Sequence, residues 1–304
     1  MKKIIFLIAV ILLIPYLVVT FFIKDEEIKF HFVSNMTIRV KNETTNEITI
    51  IPFEQYIIGV LAGEMPSSFK LEALKAQAVA ARSYSMKKIE DNYNLEYDVV
   101  NTVSNQVYLS EEELKEKWQE KYIEKITKIK QAVIETKGEY ITYEGAVAQA
   151  FFFSTSTGKT ENCEEVFMQT LPYLKSVDSS WDENVSPVFS DTFSFTLNEF
   201  YSKLGIPFQE IVNIEIIKTT STGRIKELKI NNTNFTGSEV YTKLNLRSTY
   251  FEIIQNNDLI TINTKGYGHG VGMSQYGAEA MAEKGYTYDQ ILKYYYSGVE
   301  ITKI

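Results

Sequence analysis

The sequence predicts an α+β fold: mixed helices and antiparallel strands in one exported domain behind a single N-terminal transmembrane helix. Three observations carry this expectation. Residues 4–23 are apolar and uncharged. Short β-rich segments separated by turn residues recur along the rest of the chain. Other segments place apolar residues every three or four positions, the period of an amphipathic helix. With 44% hydrophobic and 13% aromatic residues, the 304-residue chain has enough apolar surface for a sizeable core, which excludes a disordered protein.

The run 4–23 follows Lys2 and Lys3 and precedes Lys24, Asp25, Glu26 and Glu27. A helix of that length spans roughly 30 Å, the thickness of a bilayer's hydrocarbon core. The flanking lysines keep the N-terminus in the cytoplasm and export the remainder. The rival reading is a cleaved signal peptide, which ends in small residues; this run ends in bulky Phe21, Phe22 and Ile23, and an uncleaved anchor is expected.

Residues 28–36, 37–40 and 47–51 read as strands, with the polar stretch 41–46 as a turn. A helix follows at 53–65, where Tyr56, Ile57, Val60, Leu61 and Glu64 share a face; Pro66, Ser67 and Ser68 break it. A second helix is expected at 69–90, with Ser68 as N-cap and Glu72 in its first turn. Its Ala73, Ala76, Ala78, Ala80 and Ala81 leave room for a close neighbour. Residues 97–109 read as extended or looped.

A third helix is expected at 110–136, with the stripe Leu114, Trp118, Ile126, Ile129 and Val133 facing inward, its Lys and Glu residues solvated, and Gly138 as stop. Segments 139–143 and 146–153 form a hairpin over Glu144 and Gly145, followed by a polar loop at 154–160. The stretch 171–210 reads as mixed, with loops around 181–187, and the exported part as one domain with an irregular insert. A second hairpin pairs 211–218 with 225–230. A helix at 237–246, a strand at 258–264 and helices at 271–284 and 287–296 complete the chain. No internal repeat is visible.

The composition narrows the chemistry. One cysteine cannot form an internal disulfide, and His31, His269 and Cys163 cannot make a four-ligand Cys/His zinc cluster. A net charge of −8 argues against a nucleic-acid partner held by phosphate contacts. What remains is chemistry by carboxylates, hydroxyls, amides and backbone groups.

Glu64 is the first candidate. A carboxyl on an apolar helix face loses solvation, and its pKa rises toward that of a general acid. A Glu near a helix end is more commonly solvated or capping, so position by itself does not single it out. The second candidate is the stretch 266–277, where Gly266, Gly268, Gly270 and Gly272 free the backbone for close approach and a helix begins whose first N–H groups can meet oxygen atoms. His269, Ser274 and Gln275 are its polar groups. It fits neither a dinucleotide fingerprint nor a P-loop. The third is the hydroxyl run Ser154, Thr155, Ser156 and Thr157, which reads equally as sugar-binding or turn chemistry. A Cys163–His269 nucleophilic pair stays open, although a lone cysteine is more commonly a small buried residue.

The run Gly59-Val60-Leu61-Ala62-Gly63-Glu64-Met65-Pro66, followed by Glu72-Ala73-Leu74-Lys75-Ala76-Gln77-Ala78-Val79-Ala80-Ala81-Arg82-Ser83-Tyr84, resembles the stage II sporulation protein D family. Ser154-Thr155-Ser156 with Glu161-Asn162, then Leu246-Arg247-Ser248, then Gly268-His269-Gly270-Val271-Gly272-Met273-Ser274-Gln275-Tyr276-Gly277-Ala278 agree in order. The likeness covers about residues 47–300.

The resemblance implies a peptidoglycan lytic transglycosylase of endospore formers, cutting between N-acetylmuramic acid and N-acetylglucosamine in strands stripped of stem peptides. It implies a sporulation amidase and a membrane protein of the engulfment machinery as partners. Glu64 would be the acid/base catalyst, with Gln77, Arg82, Ser154, Thr155, His269, Ser274 and Gln275 lining a glycan groove, and no metal or cofactor would be needed. The division expected is 1–23 for the cytoplasmic tip and anchor, 24–46 for membrane-proximal strands and 47–304 for the catalytic domain. Some members carry a His before the Ser-Thr-Ser segment and further cysteines. Here Phe151, Phe152 and Phe153 precede it and Cys163 is alone, so a metal site is not carried over. The same domain also occurs in amidase enhancers, which leaves a non-catalytic wall-binding module as the alternative.

Overall fold

The computed structural model describes residues 36–304. The expected anchor at 4–23, His31 and all but Met36 of the strand expected at 28–36 lie outside the described residues. Among the described residues, no helix is long and apolar enough to cross a membrane.

Alternating burial starts the fold. Strand β1 (Thr37–Lys41) buries Ile38 and Val40 and pairs antiparallel with β2 (Ile48–Pro52) across the expected polar turn. The two-residue strand β3 (Val99–Val100) joins β1 in parallel. The helix Phe53–Glu64 follows β2 directly.

The helix Leu71–Asp91 is the centre of the molecule. It starts two residues later than expected, and Ser68 does not cap it. Phe69 N–H turns back to the Pro66 carbonyl at 3.1 Å, and Lys70 N–H donates to the Glu279 carboxylate at 2.6 Å. A distant acid thus satisfies an end group that a local hydroxyl was expected to serve. The alanine stripe is fully buried and lets helices Phe53–Glu64, Tyr122–Glu135, Gln275–Glu283 and Tyr288–Tyr295 pack around it.

The third expected helix is two: Glu111–Trp118, opened by a Ser110/Glu113 capping box, and Tyr122–Glu135. Gln119, at φ 46°, breaks the run, a backbone position to which helix propensity gives no clue. The first hairpin forms from β4 (Glu139–Tyr143) and β5 (Ala146–Val147), and β14 (Glu300–Lys303) covers the other edge of β4. The expected strand 146–153 does not continue. Its end, β6 (Phe152–Phe153), crosses to pair in parallel with β13 (Met273–Ser274), so the helix expected from 271 begins only at Gln275. Gly272 permits the crossing: at φ 83°, any Cβ there would lie 1.9 Å from the Phe151 carbonyl oxygen.

The insert expected to be irregular is regular from Ser190 to Lys265: the expected hairpin of 211–218 with 225–230, the helix expected at 237–246 and the strand expected at 258–264 form, and further strands and a helix join them. Strands β7 (Ser190–Thr196), β8 (Ile214–Thr219), β9 (Ile225–Ile230), β10 (Thr233–Thr236), β11 (Phe251–Asn256) and β12 (Leu259–Lys265) form two three-stranded sheets, ordered β10-β9-β8 and β11-β12-β7. Helices Leu197–Leu204 and Gly237–Leu244 pack on them around a second core that includes Phe200, Leu228, Ile230, Val240, Ile260 and Ile262.

Candidate active site

Glu64 is placed by two glycines one helical turn apart. On the helix Phe53–Glu64, a Cβ on Gly59 would sit 2.5 Å from the Leu109 carbonyl oxygen, and one on Gly63 would sit 2.5 Å from that of Val107. Their absence lets the segment 105–109 lie against the helix, where Leu109 N–H donates to the Gly59 carbonyl at 3.3 Å. Gln106 fastens the segment: its fully buried amide oxygen accepts from Tyr56 at 3.2 Å and Ser85 at 2.8 Å. The register brings Val107 N–H to Glu64 Oε1 at 2.6 Å.

Burial raises the pKa of Glu64 above the ordinary carboxylate value; the Val107 N–H and the Gln275 amide, which favour the charged form, offset only part of this. Gln275 Nε2 has no hydrogen bond of normal geometry within the protein, so its interaction with Glu64 is electrostatic and loose. A carboxyl in this setting holds a proton more readily than a surface acid and can also carry the charge after releasing it.

The glycine-rich stretch interlaces with the hydroxyl loop. Gly266, Gly268, Gly270 and Gly272 all have positive φ. Thr155 and Tyr267 exchange backbone hydrogen bonds at 3.1 and 2.8 Å, and Glu161 N–H donates to Gly270 at 2.8 Å. His269 lies among the rings of Phe151, Phe153 and Phe167. Desolvation and the charge of Arg224 bring its pKa down to about 4. Its Nδ1 accepts the Val271 N–H at 3.1 Å, which fixes the proton of the neutral ring on the other nitrogen.

A cavity of about 790 Å³ opens between the two cores. Glu64, Asn105, Ser154, His269 and Gln275 line it from the helical side; Thr220, Arg224, Lys226, Tyr241 and Ser248 line it from the insert. Four of the residues expected from sequence therefore meet at one cavity: Glu64, Ser154, His269 and Gln275.

The other four do not line it. Arg82 is fully buried, donating to Glu54 through Nε at 3.0 Å and Nη2 at 2.8 Å and to the Glu139 carbonyl at 2.8 Å. It joins two helices and β4. Gln77 is fully buried in the same central helix. Thr155 turns inward to Ser186 at 2.7 Å. Ser274 bonds Asp182 and caps its own helix by accepting Gly277 N–H at 3.2 Å. Tyr276 N–H goes to the Ser154 carbonyl at 3.1 Å. These helix N–H groups, expected to meet a ligand, are taken up by the protein.

Sequence reasoning gave no site role to Val107 and Asn105, which lie in a stretch read as extended or looped, or to the residues of the insert wall. Arg224 was given no role; it is 1% exposed, donates to the Gly268 carbonyl at 2.7 Å and pairs with Glu161 at 3.2 Å. Glu165 also lines the cavity. Burial pushes its pKa up, but hydrogen bonds from Ser221 N–H at 2.7 Å, Ser221 Oγ at 2.5 Å and Asn162 at 2.9 Å outweigh this and hold it below the ordinary value. Both bridges tie the β8–β9 turn to the helical side. Cys163 is buried in the first core, where burial pushes its thiol pKa up, and it is absent from the cavity lining. Among the described residues no three His, Cys, Asp or Glu side chains are grouped to hold a metal ion.

A family model described as "Stage II sporulation protein" matches residues 41–143. The stage II sporulation protein D of Bacillus subtilis (strain 168) is 43% identical over 275 residues, covering 89% of this chain and 80% of the relative. That of Bacillus amyloliquefaciens is 42% identical over 276 residues, with the same coverage. The amidase enhancer of Bacillus subtilis (strain 168) is 32% identical over 298 residues, covering 80% of this chain but 40% of the relative.

Proposed function

Since the chain belongs to the stage II sporulation protein D family, we infer that it is a lytic transglycosylase acting on peptidoglycan during engulfment, with Glu64 as its acid/base. The observation that carries this is the half-buried Glu64 carboxyl, its pKa raised, at a cavity large enough for sugar residues. Glycoside hydrolases ordinarily use two carboxyl groups, one of them to activate water or attack the sugar. Here Glu165, the other carboxyl lining the cavity among the described residues, has both oxygens engaged by Ser221 and Asn162.

One acid suffices for an intramolecular reaction. Glu64 gives its proton to the glycosidic oxygen, and the C1–O bond of the muramyl residue breaks. The resulting carboxylate takes the proton of that residue's C6 hydroxyl as its oxygen bonds to C1. The products are a free 4-hydroxyl and a 1,6-anhydromuramyl end, no water is consumed, and Glu64 is reprotonated. Val107 N–H and Gln275 steady the carboxylate between the two transfers. Neutral His269, Ser154 and the hydroxyls of Thr220 and Ser248 suit the uncharged polar groups of a sugar, and Tyr241 and Tyr267 offer apolar ring faces. In this reading residues 4–23 anchor the protein, the cavity faces the wall outside the cytoplasmic membrane, and an amidase supplies the stripped strands.

The likeness to an amidase enhancer favours a second reading, a wall-binding module that assists an amidase without cutting glycan. Product analysis separates the two. Purified protein incubated with peptide-stripped glycan should yield anhydromuramyl ends by mass spectrometry, and Glu64→Gln should bind the glycan without producing them. Glycan binding by the unaltered protein with no such ends would establish the binding module instead.

A further inference from the structure

We propose that Gln106 is a positioning residue: through the neighbouring Val107 peptide it leaves one oxygen of Glu64, Oε2, to carry the proton in both transfers. The inference rests on the glycan-cutting reading for the transfers themselves, but not for the placing of the proton.

Gln106 is fully buried, and both ends of its amide are engaged. The oxygen accepts from Tyr56, on the helix that carries Glu64, at 3.2 Å and from Ser85, on the central helix, at 2.8 Å. Nε2 donates to the Ala81 carbonyl of the central helix at 3.3 Å. One side chain thus bolts the 105–109 segment to two helices. Asn105 adds a second hold, donating to the Tyr84 hydroxyl at 3.2 Å and accepting Val100 N–H at 2.8 Å. The next peptide is held with its N–H on Glu64 Oε1 at 2.6 Å.

A peptide N–H can only donate. In a neutral carboxyl the carbonyl oxygen is the better acceptor, so Oε1 is the carbonyl and the proton sits on Oε2. Oε2 forms no hydrogen bond among the described residues and stays accessible, on a side chain that lines the cavity. Tyr56 and Tyr84 face Glu64 from the two helices, and burial raises the pKa of both, so they add no charge. The 1,6-anhydro bridge forms on the face of C1 from which the departing sugar leaves, so both reacting oxygens come to one side of the acid. Oε2 gives its proton to the glycosidic oxygen, which keeps the electron pair of the breaking C1–O bond. Oε2 then takes the proton of the C6 hydroxyl as that oxygen bonds to C1. The carboxyl ends as it began and does not rotate between the transfers.

The test reads the carbonyl of the acid directly, in isotope-edited infrared difference spectra of the full chain in detergent, unaltered minus Glu64→Gln, below the Glu64 pKa. The Val107 bond should hold the C=O band of the neutral carboxyl below the frequency of a free acid. Gln106→Met keeps the length of the side chain and removes its hydrogen bonds; it should move the band up toward the free value. Tyr56→Phe removes one donor of two and should move it part of the way, which serves if Gln106→Met does not fold. On stripped glycan kcat should fall by up to about a hundredfold with KM little changed. A residue that only stabilised the fold would lower the denaturation midpoint without moving the band. A band already at the free-acid frequency in the unaltered protein, a band unmoved in the folded variants, or an undiminished kcat overturns the assignment. If the band moves as expected but the unaltered protein forms no anhydromuramyl ends, the placing of the proton stands and the lytic reading falls.

Discussion

Glu64 Oε1 accepts the peptide N–H of Val107 at 2.6 Å, across 43 residues of chain. This bond joins the acid to the 105–109 segment, which lies against the helix because Gly59 and Gly63 present no side chain to it.

Gly63→Ala tests that contact. In an exposed helix, Gly→Ala stabilises by up to about 1 kcal/mol. Here the new Cβ meets the Val107 carbonyl oxygen at 2.5 Å, and the 105–109 segment must move. The expected outcome has the opposite sign: about 1–3 kcal/mol of destabilisation in urea unfolding, with loss of glycan cutting. A stabilised, fully active variant would refute the close approach.

Glu64 also predicts a pH signature. Its folded pKa is raised, so the folded state holds the proton more tightly than the unfolded chain, and the associated stability is lost as pH rises through the folded value. Glu64→Gln removes that loss. The variant should gain in thermal midpoint relative to the unaltered protein at pH 8 and show little gain at pH 4. Cutting, which begins from the protonated acid, should decline on the alkaline side with an apparent pKa above the ordinary glutamate value.

His269 acts in the other direction. With its pKa lowered to about 4, the unfolded chain takes up a proton before the folded one as pH falls from about 6.5. Stability should therefore fall across that window and level off below pH 4. In His269→Gln this part of the slope should vanish in denaturation curves collected at several pH values. Because the ring is neutral throughout, His269 should contribute no titration to the cutting rate above pH 6.

Arg82→Ala leaves the Glu54 carboxylate buried without its partner, and should cost roughly 3–5 kcal/mol. Arg82→Lys should recover little, since a single ammonium cannot reproduce the two-pronged contact with Glu54 and the bond to the Glu139 carbonyl. Denaturant midpoints measure both. A variant of normal stability that has lost only glycan affinity would return Arg82 to the groove.

Several features were legible along the chain. The face of Tyr56, Ile57, Val60, Leu61 and Glu64 forms one helix, and the alanine stripe forms the central one. The glycine-rich stretch turns as its residues allow, and the Ser154 and His269 segments do meet. One signal was present but unread: Thr196 with Glu199 is a capping box that announces the helix Leu197–Leu204, whereas the helix expected at 237–246 does form, opened by the same device at Thr236 and Glu239.

Local order thus followed from periodicity, glycine placement and capping, because each depends on residues within a few positions of one another. Which polar groups face the cavity did not. Gln77, Arg82, Thr155 and Ser274 are as polar as Glu64, Ser154, His269 and Gln275, and lie in the same motifs. They are turned inward because Glu54, Ser186 and Asp182 claim Arg82, Thr155 and Ser274, and because neighbouring helices enclose Gln77. Those enclosures and hydrogen bonds form only when distant segments pack, and packing likewise brings residues of the β8–β9 hairpin to the cavity that Glu64 lines.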